Sequence, residues 1–467
     1  MRTTHNRWFV ISLIAVLSMI LAACGGAATP TQAPAAPTAV PAAPAEPTKA
    51  PEPTAAPAEP TKAPEPTAVP AEPTKAPEPA AAGKPLVIGE MTDNSGVLAI
   101  YGPLFERGFE IGLDYVTDGT RTIAGRPIEV VLKDTASNTE KGATLAREAI
   151  EKDGAEILLG VPSSPVALAV GGIAAENKKL YIAGPAAADA VTGANFNPYV
   201  FRCGRQNMQD ALTMGAALTK LGDNFIQISQ DNAFGQGSAA GFYKVVKNAG
   251  GKFPINDDEK GVGTIFAPPD TTDFTPYINQ ILDSKADALI VTWSGAGFVP
   301  MFQQMTQMGV FDQMDVATGM GDNQTLAKGY ADAVNSVGVS VYHYSLFDTP
   351  ENKYLTDEHI KRFDVPPDLW AEAGFNCAVM VKQALEATKG DTDGDKLIAA
   401  LEGMKFEGPK GNYEVRASDH ALLQPMTLVK LTNTTDPAFK FFDLVTLFKP
   451  EETAPPCAVP AEQGRCK

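Results

Sequence analysis

The sequence predicts an α/β protein of two lobes, each a mainly parallel sheet flanked by helices. Three observations point there. Short apolar runs alternate with helical patterns of about 10–15 residues, the rhythm of βαβ units. That rhythm runs through two successive series. After a proline-rich front, about 360 residues remain, more than one ordinary domain of roughly 100–200 residues needs.

The first series opens with a strand at 86–89. A helix follows over 102–115, where Leu104, Phe105, Phe109, Ile111 and Leu113 recur at helical intervals. Strands are expected at 127–132, 156–160 and 180–183, with helices at 139–150 and 164–176 between them. The second series places strands at 225–229, 261–266, 288–292 and 316–318, separated by helices at 237–249, 274–284 and 299–308. Residues 337–342 lead out of it. A long helix at 369–387, a shorter one at 396–401 and a last strand at 426–431 complete the reading. Strands such as Ile157-Leu158-Leu159 and Leu289-Ile290-Val291 are apolar at every position, which fits a sheet covered on both faces.

The front has a different composition. Arg2 and Arg7 precede an apolar run from Trp8 to Ala23, the pattern of a signal peptide over 1–23. The run ends Leu21-Ala22-Ala23-Cys24, which resembles the lipobox of bacterial lipoproteins. That resemblance implies a lipidated Cys24, an exported body and anchoring by lipid chains. Nearly half of the 38 prolines then fall before Leu86, many of them in a unit from Ala45 that repeats at Ala58 and, altered, at Ala71. Residues 24–85 read as an extended Pro/Ala/Thr/Glu tether, because no unit carries apolar side chains able to form a core.

Charge and motifs narrow the function. Lys and Arg number 38 against 55 Asp and Glu, for a net charge of -17, so a nucleic-acid partner is excluded. The four histidines, His5, His343, His359 and His420, are too scattered for a metal cluster. No nucleophile elbow, P-loop or dinucleotide fingerprint occurs. Asp391-Thr392-Asp393-Gly394-Asp395 looks like a calcium loop but lacks its later ligands, so it reads as a polar turn. No cofactor, metal or catalytic residue is expected. Cys457 and Cys466, nine residues apart in a Pro-rich tail over 448–467, are expected to pair. Cys203 and Cys377 could pair or stay as buried thiols.

An ordered set of segments carries a resemblance. It runs through Tyr101-Gly102, Gly125 to Glu129, Lys133-Asp134, Gly160 and Ser163-Ser164. The second series adds Gln230 to Gly237, Thr272 to Tyr277, Ala400 to Gly403 and Asp419-His420. Over 86–431 the chain resembles the periplasmic branched-chain amino-acid-binding proteins, the type I solute-binding proteins of ABC importers. The resemblance implies a monomer that closes two lobes on a small solute and presents it to permease subunits. It also implies three crossings between lobes. These assign 86–204 and 345–420 to lobe 1, and 205–344 and 421–447 to lobe 2.

Binding residues follow from both sources. Loops at the carboxyl ends of strands meet the ligand in open α/β sheets, and helix N-termini there favour an anion. Ser163 and Ser164 are candidates on that ground, with the alternative that one is an N-cap. The loop Ala186-Ala187-Ala188 resembles the family's second carboxylate-binding turn, with Ala187 where a threonine is usual. Tyr101, Phe234 and Trp293 are expected to line the cleft. Asp322 lies close to the family's acceptor of the ligand's ammonium. A branched-chain or other apolar amino acid is the first expectation for the solute. An amide, urea or aromatic carboxylate is the alternative, as is a sensory domain of the same fold without transport.

Overall fold

The structure is a computed structural model that describes residues 83–466. The signal peptide, Cys24 and nearly all of the tether lie outside those residues. The first lobe opens with β1 (Leu86–Thr92), α1 (Gly102–Val116), β2 (Thr122–Ile123) and β3 (Arg126–Asp134). It continues with α2 (Thr139–Glu151), β4 (Ile157–Gly160), α3 (Ser164–Glu176), β5 (Leu180–Ala183) and β6 (Val200–Arg202). The sheet order is β2-β3-β1-β4-β5-β6, parallel throughout except for the β2–β3 hairpin. β4 and β5 are buried at every residue, because α2 and α3 cover one face while α1 covers the other.

The second lobe holds α4 (Asn207–Leu218), β7 (Phe225–Gln230), α5 (Ala233–Asn248), β8 (Thr264–Ala267) and α6 (Thr275–Asp283). Next come β9 (Ala288–Thr292), α7 (Phe298–Gln307), β10 (Asp315–Gly319), α8 (Asn323–Gly329) and β11 (Val337–Ser340). The chain then returns to the first lobe as α9 (Pro350–Phe363), α10 (Ala371–Ala387) and α11 (Gly394–Leu401). A small antiparallel sheet follows, made of β12 (Lys405–Gly408), β13 (Gly411–Val415) and β14 (Leu422–Leu423). Finally β15 (Met426–Leu431) and β16 (Phe442–Phe448) add antiparallel to β11, giving the order β16-β15-β11-β10-β9-β7-β8.

Helix α10 is buried on almost all sides and packs closely against α1. Gly108 makes that approach possible, since a Cβ there would stand 2.0 Å from the Ala371 carbonyl oxygen. Cys377 of α10 is bonded to Cys203, which pins the first crossing to the first lobe across 174 residues of sequence. The chain crosses between lobes three times: from β6 to α4, from β11 to α9 and from β14 to β15.

Several local expectations change. The strand expected at 261–266 begins only at Thr264, because Val262 and Gly263 turn at φ +44° and +65°. β15 is not the last strand, since β16 follows as the edge of the second sheet. Helices α4, α8 and α9 and strand β6 stand where the sequence reading had placed no element. The tail does not hang free. Cys457 and Cys466 are bonded, Arg416 donates to the Pro455 carbonyl (2.8 Å), and Arg465 donates to the Ser418 carbonyl (2.9 Å). It thus lies back on the first lobe.

Candidate functional site

Strand ends from both sheets face one cavity of about 200 Å³. Ser163 and Ser164 stand after β4, Ala187 after β5, Phe234 after β7, Trp293 after β9 and Met320 after β10. Tyr101 enters from the start of α1. Five of the expected residues therefore meet there with Ala187: Tyr101, Ser163, Ser164, Phe234 and Trp293.

Ser163 is the N-cap residue of α3 by position, yet its side chain makes no capping bond. Its backbone N–H donates to Asp93 Oδ2 (3.2 Å), and Asp93 also accepts from the Ser137 N–H (2.7 Å) and the Thr135 hydroxyl. Burial raises the Asp93 carboxyl above its usual range, against the pull of those donors. Asp93 thereby fixes the loop that presents Ser163.

Ser164 does something else. Its hydroxyl oxygen accepts from the backbone N–H groups of Ala187 (3.2 Å) and Ala188 (3.1 Å). The Ala186 N–H donates to the Val161 carbonyl (3.1 Å). From beneath, the buried Arg202 donates to the carbonyls of Ala186 (2.8 Å) and Ala188. All three amides of this turn are thus spent on the protein itself, and Ala186 and Ala188 lie behind the cavity wall.

Asp322 is also occupied. It caps α8, accepting from the Thr325 N–H (3.0 Å) and hydroxyl (2.5 Å), and it does not line the cavity. Its carboxylate instead faces Asp368, whose carboxyl burial pushes up to about 7, with the Asp322 charge adding to the shift.

Three hydrogen bonds join the lobes at this lip. Gly295 N–H donates to the Tyr101 hydroxyl (3.2 Å), Ala296 N–H to the Val97 carbonyl (3.1 Å), and Asn323 N–H to Asp368 Oδ2 (2.9 Å).

Sequence reasoning missed Arg205, Asp210 and Trp370. Arg205 lies in the first crossing and forms an ion pair with Asp210 of α4 at 3.2 Å. Its guanidinium sits 4.8 Å from the Trp370 ring centroid, and Tyr101 meets the same indole edge-on at 5.7 Å. Burial raises the Asp210 carboxyl. No local signal marks these residues, because only the lobe crossing brings position 205 beside position 370. Elsewhere part of the polar lining is paired within itself, while the indole N–H groups of Trp293 and Trp370 are buried without a partner. Gln230 donates to the Ser294 carbonyl (3.0 Å) and accepts from its hydroxyl (2.8 Å), and the Ser238 and Thr292 hydroxyls bond each other (3.1 Å). Among the described residues no group of His, Cys, Asp or Glu is arranged to hold a metal ion.

Known proteins share this fold. The family model described as "Periplasmic binding protein" matches residues 85–436. The Leu/Ile/Val-binding protein homolog 6 of Brucella melitensis is 24% identical over 370 residues, covering 78% of this chain and 91% of the relative. A solved Rhodopseudomonas palustris protein, described as an ABC-type branched-chain amino acid transporter, is 35% identical with a TM-score of 0.67; the match covers 80% of this chain and 100% of that one. Another, a solute-binding protein of an ABC transporter from the same species in complex with 3,4-dihydroxybenzoic acid, is 25% identical with a TM-score of 0.68. That match covers 78% of this chain and 97% of its length. Two α/β lobes joined by three crossings over one cavity, with a family match across most of the body, make the chain a member of the periplasmic binding protein family, in its branched-chain amino-acid-binding branch: an extracytoplasmic solute-binding protein of an ABC transporter, not an enzyme.

Proposed function

We propose that the solute is a small carboxylate with an apolar body the size of a single ring, and that an aromatic carboxylate fits best. One observation carries this reading. The cavity wall is aromatic on both sides, through Tyr101, Trp370, Phe234, Trp293 and Phe298, and Arg205 is the one cation lining it among the described residues. Asp210, the one carboxylate in that lining, already shares its charge with Arg205 through Oδ2, which makes it a weaker partner for an ammonium group than a free carboxylate. Size agrees. A cavity of about 150 Å³ holds benzene, so 200 Å³ suits one ring and a carboxylate. The relative in complex with 3,4-dihydroxybenzoic acid supports the same class.

A branched-chain amino acid is the second reading, favoured by the Leu/Ile/Val-binding relatives. Calorimetric titration of the body from residue 83 with benzoate, 3,4-dihydroxybenzoate, L-leucine and L-valine separates the two. Micromolar binding of the benzoates with none of the amino acids is the expected result. Tight leucine binding with no benzoate binding overturns it.

The proposed setting is a lipoprotein whose Cys24 carries the lipid and whose tether lifts the body toward its permease. Metabolic labelling with a fatty acid should mark the full chain and be abolished by Cys24→Ala. Ser163, the only predicted serine whose hydroxyl makes no bond to the protein, is proposed to contact the solute alongside Tyr101, Phe234 and Trp293.

A further inference from the structure

We propose that Arg205 takes the solute's carboxylate, replacing the turn at 186–188 as the anion-binding element. The inference rests on the carboxylate reading above and names the group that would recognise it.

The turn at 186–188 has nothing left to offer an anion. The amides of Ala187 and Ala188 donate to Ser164, that of Ala186 to Val161, and Arg202 holds two of its carbonyls from behind. A carboxylate arriving there would have to break bonds already made in a buried loop.

Arg205 is in the opposite condition. Its side chain is 8% exposed, and Arg205 lines the cavity. A guanidinium carries five N–H donors. One contact goes from Nη1 to the Pro185 carbonyl (3.3 Å) and one from Nη2 to Asp210 (3.2 Å), while Nε is buried with no partner. Asp210 Oδ1 is likewise buried without a partner. The pair is therefore under-bonded on both sides. Burial already raises the Asp210 carboxyl, which weakens its claim on the guanidinium charge. Trp370 holds the guanidinium plane from one side, so its free edge is fixed in direction. Planar, pre-oriented donors suit a planar carboxylate, and the Tyr101 ring on the same indole extends the shelf for an aromatic body.

The position also links binding to closure. Arg205 lies in the first crossing, beside the Cys203–Cys377 bond, and its partner Asp210 belongs to the second lobe. A carboxylate bound there touches the hinge as well as the cavity.

The test uses sodium benzoate and its neutral isostere benzamide, titrated into wild type, Arg205→Gln and Arg205→Lys. Benzoate affinity should fall at least 30-fold in R205Q and recover partly in R205K, while benzamide binding changes less than threefold. R205Q binding benzoate within threefold of wild type overturns the proposal, and so does equal loss of both probes. A crystal structure of wild type with benzoate serves where a variant fails to fold. Its carboxylate within hydrogen-bonding distance of Arg205 supports the proposal, and a carboxylate on Ser163 or the 186–188 turn refutes it. Wild type that binds neither benzoate nor any other carboxylate overturns the carboxylate reading and this inference together. Wild type that binds benzoate while R205Q does so equally well removes only this one.

Discussion

Closure can be tested at a single atom. Gly295 lies at φ +77°, and a Cβ there would stand 2.2 Å from the Val97 carbonyl oxygen of the facing lobe. Contacts of a Cβ under 3.0 Å essentially do not occur, so Gly295→Ala must part the two loops by about 0.8 Å. That shift stretches the Ala296–Val97 bond from 3.1 Å and the Gly295–Tyr101 bond from 3.2 Å beyond hydrogen-bonding range. Losing one or both costs the closed state about 1–2 kcal/mol. Solute affinity should then drop about 5- to 30-fold if binding is tied to closure. The left-handed backbone adds a penalty of about 1 kcal/mol that open and closed forms share, so it appears in unfolding and not in binding. Gly295→Asn, which tolerates positive φ better but still has a Cβ, should show the same binding loss with less loss of stability. Calorimetry of both variants, with X-ray scattering of the ligand-bound forms, reads the effect. Affinities within twofold of wild type in both would refute the claim that these loops meet in the bound state.

Other outcomes follow from the same contacts. Replacing Cys203 and Cys377 together by alanine opens a 174-residue loop in the unfolded chain, and chain entropy then predicts a loss of about 5 kcal/mol in urea unfolding. A loss below about 1 kcal/mol would mean the bond is not formed. Asp322→Ala should cost about 1 kcal/mol of stability through the lost α8 cap while leaving solute affinity within twofold. A tenfold loss of affinity would instead put this carboxylate on the ligand. His343 is buried and its imidazole is held down to about 4, so the unfolded chain binds its proton first. Its contribution is fully present above pH 6.5 and is lost as pH falls toward 4, by up to about 3 kcal/mol. Unfolding of His343→Gln at pH 7.5 and 4.5 should show a smaller pH difference than wild type, and an equal difference would refute the assignment.

The sequence reveals what is periodic and hides what is made by crossing. Strands β4 and β5 are apolar throughout, β9 is apolar up to its closing Thr292, and β7 carries Phe225, Ile226 and Ile228, so both sheets were legible. Helix α9 was not, because its surface is largely charged and among its apolar residues only Leu355 is fully buried. Edge strand β16 escaped notice because Leu444, Val445 and Leu447 are exposed and carry no alternation. In the site, residues just after a strand (Ser163, Phe234, Trp293) could be found from strand position alone. Asp322 sits equally well in sequence, but Thr325 three residues on offers its carboxylate a cap, and that local bond decides where it points. Arg205 needed the whole fold, since its neighbours come from α4 and from the start of α10.

The returning tail has a mechanical consequence. The described chain begins beside β1 in the middle of the first sheet, and it ends with Arg465 fastened to Glu402 and Ser418 on the same lobe. A load applied at residue 83 or at the tail is therefore carried by one jaw. The second jaw is held by the three crossings and the hydrogen bonds at the lip, and a pull on the first jaw does not load those contacts directly. A surface attached ahead of residue 83 and a cargo attached to the tail would both ride on the first jaw without stiffening the stroke.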